Sequence, residues 1–300
     1  MKKIILRIKG GLGNQLFQYA FAKRLSILNN CELIIDNITC FNKYDYLYNR
    51  KYSLNCFNIN DRFANYSERL EPFEKIRRNF LKFYSYILNF NNKKIYTQKK
   101  LEFDKRFLYL KINKSIFLDG IWQSEMYFND IENIIRNNLK FKKIDDEKNI
   151  KIFNKITSFN AVCVHFRSHG YKDPKIDIKY NADKEYYKKS IQYIKKNIQD
   201  PHFYLFSDNR TSIKDFIDLS DITYNIVDIN TKKEEAYKDL WLMSNCKHFI
   251  IAASTFSWWG AWLSTNNNKI IIAPNFLIDD KLGTSAWGFK GLLPEKWIKI

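Results

Sequence analysis

Apolar residues along the chain recur with two periods. Lys3 to Ile8 is a run of mostly apolar, β-favouring residues and predicts a strand. After Gly10, Gly11 and Gly13, the residues Phe17, Ala20, Phe21, Leu25 and Leu28 recur at i, i+3, i+4, i+8 and i+11, one face of a helix. Leu33 to Ile35 reads as the next strand, ending at Asp36. The opening is therefore a strand, a glycine loop, a helix and a strand. From Cys40 to Asn113 the chain is rich in Tyr, Phe, Asn and Lys without a clean period, and helices are expected there. "FKKIDDEKNIKIFNK", Phe141 to Lys155, is dense in charge and reads as a linker or surface helix at a domain boundary.

Beyond it the alternation returns. Ala161–Phe166, His202–Phe206, Tyr224–Val227, His248–Ile251 and Ile270–Ala273 read as strands. One helix is expected after the N-cap candidate Asp183, with Tyr187, Ile191 and Ile194 on one face. Another is expected over Lys233–Cys246, with Ala236, Leu240 and Met243 on one face. Strands alternating with helices predict parallel, doubly wound sheets. The expected architecture is α/β, with two Rossmann-like domains, residues 1–150 and 151–300, facing each other across a cleft. Ligands of such sheets sit at the carboxyl ends of the strands.

Composition narrows the class. With 45% hydrophobic and 17% aromatic residues the chain can build sizeable cores, which excludes a disordered protein. Cys31, Cys40, Cys56, Cys163 and Cys246 are scattered, odd in number and without a C-x-x-C, against a disulfide framework or zinc cage and for a reducing compartment. The longest apolar stretch, Phe249–Leu263, falls short of the ~20 residues of a membrane span. "MKKIILRIKG" carries Lys and Arg inside its apolar run and makes a poor signal peptide. The expectation is a cytoplasmic protein, peripheral at the inner face of the membrane if its charge serves contact with a surface. The formal charge of +18 suits nucleic acid, an anionic membrane surface, an anionic substrate or simply a solvated surface. Its lysines are dispersed and no nucleic-acid module is recognisable, so no specific nucleic-acid partner is expected.

The glycine loop admits more than one reading. A dinucleotide fingerprint is G-x-G-x-x-G, whereas the chain reads Gly11-Leu12-Gly13-Asn14-Gln15-Leu16. Leu16 would obstruct the close helix packing that the third glycine permits. Asp36 stands near the distance of a ribose-binding acid, which keeps a nucleotide-dependent dehydrogenase as an alternative. A tight turn with positive φ would also want glycine. Asn14 and Gln15 suit either donation to a sugar or phosphate oxygen or a helix cap.

"GGLGNQLFQYAFAKRLS" resembles the N-terminal motif of the bacterial α-1,2-fucosyltransferases, glycosyltransferase family 11. The resemblance continues through "RKYSLNCFNI", "GIWQSEMYF", "VCVHFRSHGY", "KEEAYKDLWLMSNCKHFIIAASTFSWWGAWL" and "KIIIAP", in the family's order and over nearly the whole chain. It implies a GT-B fold and a GDP-fucose donor held mainly by the C-terminal half. It implies transfer with inversion to the 2-hydroxyl of a galactose-containing glycan acceptor on the N-terminal side, with no cofactor and no obligatory metal. The chain contains no Asp-x-Asp of the kind that holds a metal on a sugar nucleotide.

The strand Ala161–Phe166 delivers His165 and Arg167 to its carboxyl end on one side. By resemblance, Arg167 grips the diphosphate and stabilises charge on departing GDP. His165 and Asn14 join it as catalytic candidates. Asp239, beside the apolar face of its helix, is placed by the same resemblance on the paired N–H donors of guanine. Ser254, Thr255, Phe256 and Ser257 open a helix after a strand, an end suited to phosphate. Trp258, Trp259 and Trp262 read as core. Ser207 and Asp208, in "FSDN", suit the ribose or the acceptor, or else close an Asx turn. Gly11, Gly13 and Asn14 complete the donor-binding set. The family usually reads His-x-Arg-Arg-Gly-Asp where this chain has His165-Phe166-Arg167-Ser168-His169-Gly170, and Asn where it has Ala253. Ser168 and Gly170 keep open a degenerate, inactive member, and another GDP-6-deoxyhexose donor is a separate alternative. Glu125, His169 and Asp173 are the candidates for a base.

Overall fold

The computed structural model describes residues 2–41, 50–98, 100–168, 182–276, 278–279 and 286–300. The chain forms two compact units, Met1–Lys142 with Lys290–Leu292, and Lys143–Phe289 with Leu293–Ile300. The division lies at Lys142/Lys143, a little before residue 150, and Lys290–Leu292 return to the first unit.

In the first unit, β1 (Lys3–Arg7), β2 (Glu32–Asp36), β3 (Arg62–Phe63), β4 (Ile95–Thr97) and β5 (Ile116–Asp119) form one sheet in the order β3-β2-β1-β5-β4. All its pairs are parallel. α1 (Leu12–Leu28) joins β1 to β2. The periodicity predicts one buried face on α1, but burial extends around it and takes in Gln15, Gln18 and Arg24. Aromatic rings supply much of this core. Phe21 stacks on Trp122 at 4.5 Å between centroids and meets Phe107 edge-on at 5.4 Å.

Of the helices expected between Cys40 and Asn113, only α2 (Glu74–Ile87) is an α-helix among the described residues. β3 and β4 and several 3-10 turns occupy most of the rest. All four residues of β5 are buried, so no polar–apolar alternation marks it.

The second unit holds α4 (Glu147–Ser158), β6 (Asn160–Phe166), α5 (Lys184–Asn197), β7 (Pro201–Ser207), α6 (Ile213–Phe216), β8 (Thr223–Ile226), α7 (Ala236–Ser244), β9 (His248–Ile250), α8 (Thr255–Leu263), β10 (Ile271–Ala273) and β13 (Ile298–Lys299). The short α3 (Glu132–Asn138) belongs to the first unit. β11 (Ile278–Asp279) and β12 (Ala286–Trp287) pair antiparallel. The main sheet runs β13-β10-β9-β6-β7-β8 with every pair parallel. Read from the β8 edge, this is the 3-2-1-4-5-6 order of the doubly wound fold. Its topological switch point lies between β6 and β9.

Of the two readings of the charge-dense stretch Phe141–Lys155, the helix is the one observed, and the division between the units falls at the start of the stretch. The helix is α4, capped where the Asp146 carboxylate accepts from Asn149 N–H at 3.0 Å. Phe153 stacks on Trp241 of α7 at 4.9 Å. Val162, Val164 and Phe166 of β6 pack with Tyr186, Tyr187, Ile191 and Ile194 of α5. Cys163, His165 and Arg167 take the alternate positions. Trp258, Trp259 and Trp262 are buried and pack ring on ring.

No helix among the described residues is long and apolar enough to cross a membrane. The packing of α8 on α7 leaves little room, since a Cβ at Gly260 would lie 3.1 Å from Met243 Cβ. Gly260→Val is expected to destabilise the protein by about 1–3 kcal/mol through overpacking. Urea unfolding of the two proteins side by side measures this.

Candidate active site

Three strands of the second unit bring candidates to their carboxyl ends. β6 ends at Phe166, so Arg167 and Ser168 begin the following loop. β7, paired with β6 through His165↔Phe206 and Phe166↔Ser207, places Asp208 beside them. Arg167 Nη1 lies 3.0 Å from Asp208 Oδ2. Ser168 donates its backbone N–H to Asp208 Oδ1 at 3.0 Å and its hydroxyl to the same oxygen at 3.2 Å. Burial opposes ionisation of Asp208, but Arg167, the Ser168 N–H, His165 and the Ser168 hydroxyl together hold its carboxyl below the usual range. Arg167 thus has a prepared anchor and remains partly open to solvent. Ser207 closes a turn, its hydroxyl oxygen accepting from Asn209 N–H at 2.9 Å.

His165 is buried, and its carbonyl accepts from the Tyr187 hydroxyl at 3.0 Å. Its ring lies 6.0 Å from that of Phe256, which ties the end of β6 to the start of α8 across the switch point. At that start Ser254 is the N-cap, its hydroxyl oxygen accepting from Phe256 N–H at 3.3 Å. The Ser257 hydroxyl is buried and donates to the Ser254 carbonyl at 3.3 Å, so it braces the turn. Ser254, Thr255 and Phe256 are only half-buried.

Asp239 lies in the first turn of α7, where its Oδ1 accepts from Asn230 Nδ2 at 2.7 Å. Asn230 is locked in turn by a reciprocal amide pair with Asn149, at 2.9 and 3.0 Å. Arg210 donates to the Asn230 carbonyl at 3.4 Å. Burial outweighs the Asn230 hydrogen bond and the charge of Arg210, pushing the Asp239 carboxyl up to about 6. The group is therefore poised to change charge near neutrality.

In the first unit the glycine loop has a structural explanation. Gly10 sits at φ +77°, and a Cβ there would come 3.0 Å from Asn14 Nδ2. A Cβ on Gly11 would press on the Arg50 guanidinium at 3.2 Å. Gly13 lies buried in the first turn of α1. Gln15 is wholly buried and donates to the carbonyls of Gly10 and Lys51, each at 2.8 Å, while its oxygen accepts from Ser53 N–H at 2.8 Å. It braces two loops and is no ligand donor. Gln18 grips Lys9 at both backbone groups, at 2.9 Å each. Asn14 Oδ1 accepts from Gln123 Nε2 at 2.8 Å, joining the ends of β1 and β5 at this sheet's own switch point.

Sequence reasoning missed Gln18, Gln123 and Arg50. The blocks containing Arg50 and Gln123 were visible, but nothing local tied them to the loop. Asp36 is fully buried, accepts from Thr39 Oγ1 at 2.6 Å and Thr39 N–H at 3.0 Å, and faces Arg78 at 3.4 Å. It is occupied internally, which removes the acid on which the dehydrogenase alternative relied. Glu125 is half-buried in a 3-10 turn. His169, Gly170 and Asp173 lie outside the described residues. Among the described residues no group of three or more His, Cys, Asp or Glu is placed to hold a metal ion.

Residues 3–287 match the family described as glycosyl transferase family 11. An α-1,2-colitosyltransferase of Escherichia coli is 30% identical over 316 residues, covering 100% of this chain and 99% of that protein. The O-antigen biosynthesis glycosyltransferase WbnK of Escherichia coli is 29% identical over 304 residues, covering 89% and 92%. Among solved structures, NodZ α-1,6-fucosyltransferase soaked with GDP-fucose superposes with a TM-score of 0.53 at 14% identity, over 95% of this chain and 96% of that one. A variant of Arabidopsis thaliana FUT1 in complex with GDP gives 0.53 at 11% identity, over 98% and 75%. At these identities the structures establish the fold, which is of the GT-B type.

The clamp on Lys9 is open to direct test. Gln18→Leu keeps the volume but removes both partners of the half-buried Lys9 N–H and carbonyl, and is expected to cost about 1–3 kcal/mol. Urea unfolding of wild type and variant reads this loss.

Proposed function

The chain belongs to glycosyl transferase family 11, and from that premise we propose that it moves L-fucose from GDP-fucose to the 2-hydroxyl of a galactoside in a surface glycan. The observation that carries this reading is the convergence at the β6/β9 switch point. There Arg167 on its carboxylate anchor, His165 and the N-terminus of α8 gather where a doubly wound sheet takes its ligand.

In an inverting displacement the acceptor oxygen attacks the anomeric carbon as the bond to the diphosphate breaks. Positive charge gathers on the sugar and negative charge on the departing GDP. A guanidinium and a helix N-terminus suit that negative charge. We assign Arg167 to the diphosphate, with His165 beside it. The α8 turn of Ser254, Thr255 and Phe256 supplies N–H groups and hydroxyls to the same phosphates, and Ser257 holds that turn. Asp239 is assigned to guanine, with Asn230 fixing its orientation. Asp208 is the positioning residue for Arg167, and Ser207 shapes its loop. Gly11, Gly13 and Asn14 stay in the proposed donor set on family membership, and Glu125 is the described candidate for the base. With Arg167 and α8 as electrostatic partners, the reaction is proposed to need no metal or other cofactor.

A second reading of the donor follows from the full-length similarity to a colitosyltransferase. Colitose is fucose without its 3-hydroxyl, so the two donors differ at one polar group. Turnover with GDP-fucose, GDP-colitose and UDP-sugars, each in EDTA, separates the readings. Transfer from GDP-fucose is expected. Transfer from GDP-colitose alone would favour the second donor. Binding of GDP without transfer from either would mark a degenerate member. Loss of activity on chelation, restored by manganese, would refute the metal-free mechanism.

Guanine recognition should carry the titration of Asp239. The ionised carboxylate accepts the guanine N–H pair, so affinity for GDP-fucose, whose esterified diphosphate does not titrate in this range, is expected to be level above about pH 7. Below about pH 6 it should weaken by up to about tenfold per unit. Asp239→Ala should cost about 1.5–3 kcal/mol of GDP-fucose binding and flatten that profile, as isothermal titration across pH would show.

Arg167→Lys keeps the charge but loses the planar fork. Turnover is expected to fall about 10²–10³-fold, with a smaller loss of donor affinity, because the contact strengthens as the glycosidic bond breaks. Steady-state kinetics with parallel binding measurements would decide it. Unchanged turnover would remove Arg167 from the catalytic set.

A further inference from the structure

α2 is built inside out. A surface helix ordinarily turns its apolar stripe to the core and its charges to water. On α2 the inward positions are mostly polar and committed to the unit beneath, with Leu81 the apolar residue that packs on the core. Glu74 lies 3.8 Å from Arg7, Arg78 faces buried Asp36 at 3.4 Å, and Lys82 reaches Asp119 at 2.8 Å. The Ser85 hydroxyl oxygen accepts from the backbone N–H groups of Lys94 and Ile95, each at 3.2 Å. These residues fall at i, i+4, i+8 and i+11, one face of the helix.

The outward positions are apolar. Phe73, at the N-cap, and Ile76, Phe80, Phe83 and Ile87 follow at i+3, i+7, i+10 and i+14, and each is between 68% and 73% exposed. Tyr84 and Tyr86 flank the stripe and are also exposed. Lys75 and Arg77 stand exposed beside Ile76. The one acidic residue of the helix, Glu74, is directed inward to Arg7 and Arg78. The outer face is therefore aromatic, apolar and edged with cations. That chemistry matches a lipid headgroup boundary, where aromatic rings and basic side chains settle together. A second copy of the chain is a poorer occupant, because each copy carries +18 and the two would repel. Anionic lipid is attracted by the same charge.

We propose that α2 is a membrane-docking helix, which lies in the interface of an anionic bilayer with Phe73, Ile76, Phe80, Phe83 and Ile87 inserted among the lipids. The helix does not cross the bilayer, and its ion pairs to Arg7, Asp36 and Asp119 fix the orientation of the first unit on the surface. The proposal stands apart from the choice of donor and from the reaction.

Vesicle flotation of the full chain tests it. The protein is expected to float with vesicles of equal parts phosphatidylglycerol and phosphatidylcholine, and far less with phosphatidylcholine alone. Phe80→Ser/Phe83→Ser should lower partitioning at least about tenfold. Its far-UV circular dichroism and thermal midpoint should stay at wild-type values, since neither ring is packed inward. Lys75→Glu/Arg77→Glu should weaken binding and its response to salt. Failure of wild type to float, equal binding to the neutral vesicles, or undiminished binding of the serine variant would overturn the proposal. So would a wild-type dimer that the serine variant abolishes, which would assign the face to a second copy.

Discussion

Both main sheets are wholly parallel, and that constraint governs what the rest of the chain can do. A parallel strand must be covered on both faces, so its side chains go to packing. Val162, Val164 and Phe166 illustrate this against α5. Polar chemistry is left to the strand ends, where the chain turns into helices. Those turns carry backbone groups that the sheet no longer satisfies. In the first unit buried amides meet the demand: Gln18 takes both groups of Lys9, and Gln15 spans Gly10, Lys51 and Ser53. In the second unit Asp208 meets it, accepting from Ser168 twice while pairing with Arg167. The edge that must be braced is also the edge where doubly wound sheets generally take their ligands.

This arrangement gives a physical account of one departure from the family pattern. Where the family usually carries a second arginine, Ser168 donates through backbone and hydroxyl to the carboxylate that holds Arg167. The chain has one guanidinium fewer at the edge and one carboxylate better satisfied. The contact holds Arg167 in place, while in the proposed diphosphate role less positive charge would be available. The two effects oppose each other. The Ser168→Arg change would exchange an anchor for a charge, rather than simply repair a loss.

The sequence was legible where an element was long, periodic and bounded by punctuation. β1, α1 and β2 qualify, as do β6 and α5, whose cap Asp183 accepts from Tyr186 N–H at 2.8 Å. It was opaque for β4 and β5, which are short and carry no alternation. It was opaque for α2 for another reason: the stripe is helical, but it points outward, so the usual link from periodicity to core does not hold. Spacing misled at Asp36, because distance along the chain says nothing of Thr39 and Arg78 closing on it. Of the candidate site, the residues on β6, α7 and α8 were visible because their strands and helices were. Gln123 and Arg50 were not, since their partners lie far away in sequence.

The two carboxylates at the edge of the second sheet show how environment divides similar groups. Asp239 is half-buried and Asp208 more open, and desolvation by the surrounding protein raises the pKa of each. Around Asp208 the cation of Arg167 and the donors of Ser168 more than compensate, so it stays ionised well into acid. Around Asp239 a neutral amide and a more distant Arg210 do not, and its carboxyl rises to about 6. Acidification therefore protonates Asp239 first and leaves the Arg167–Asp208 pair intact. In the proposed assignment the base-reading end of the site loses its acceptor while the phosphate end keeps its geometry. On that assignment, recognition of the nucleotide and stabilisation of its departing charge would respond to acid at different pH within one sheet edge.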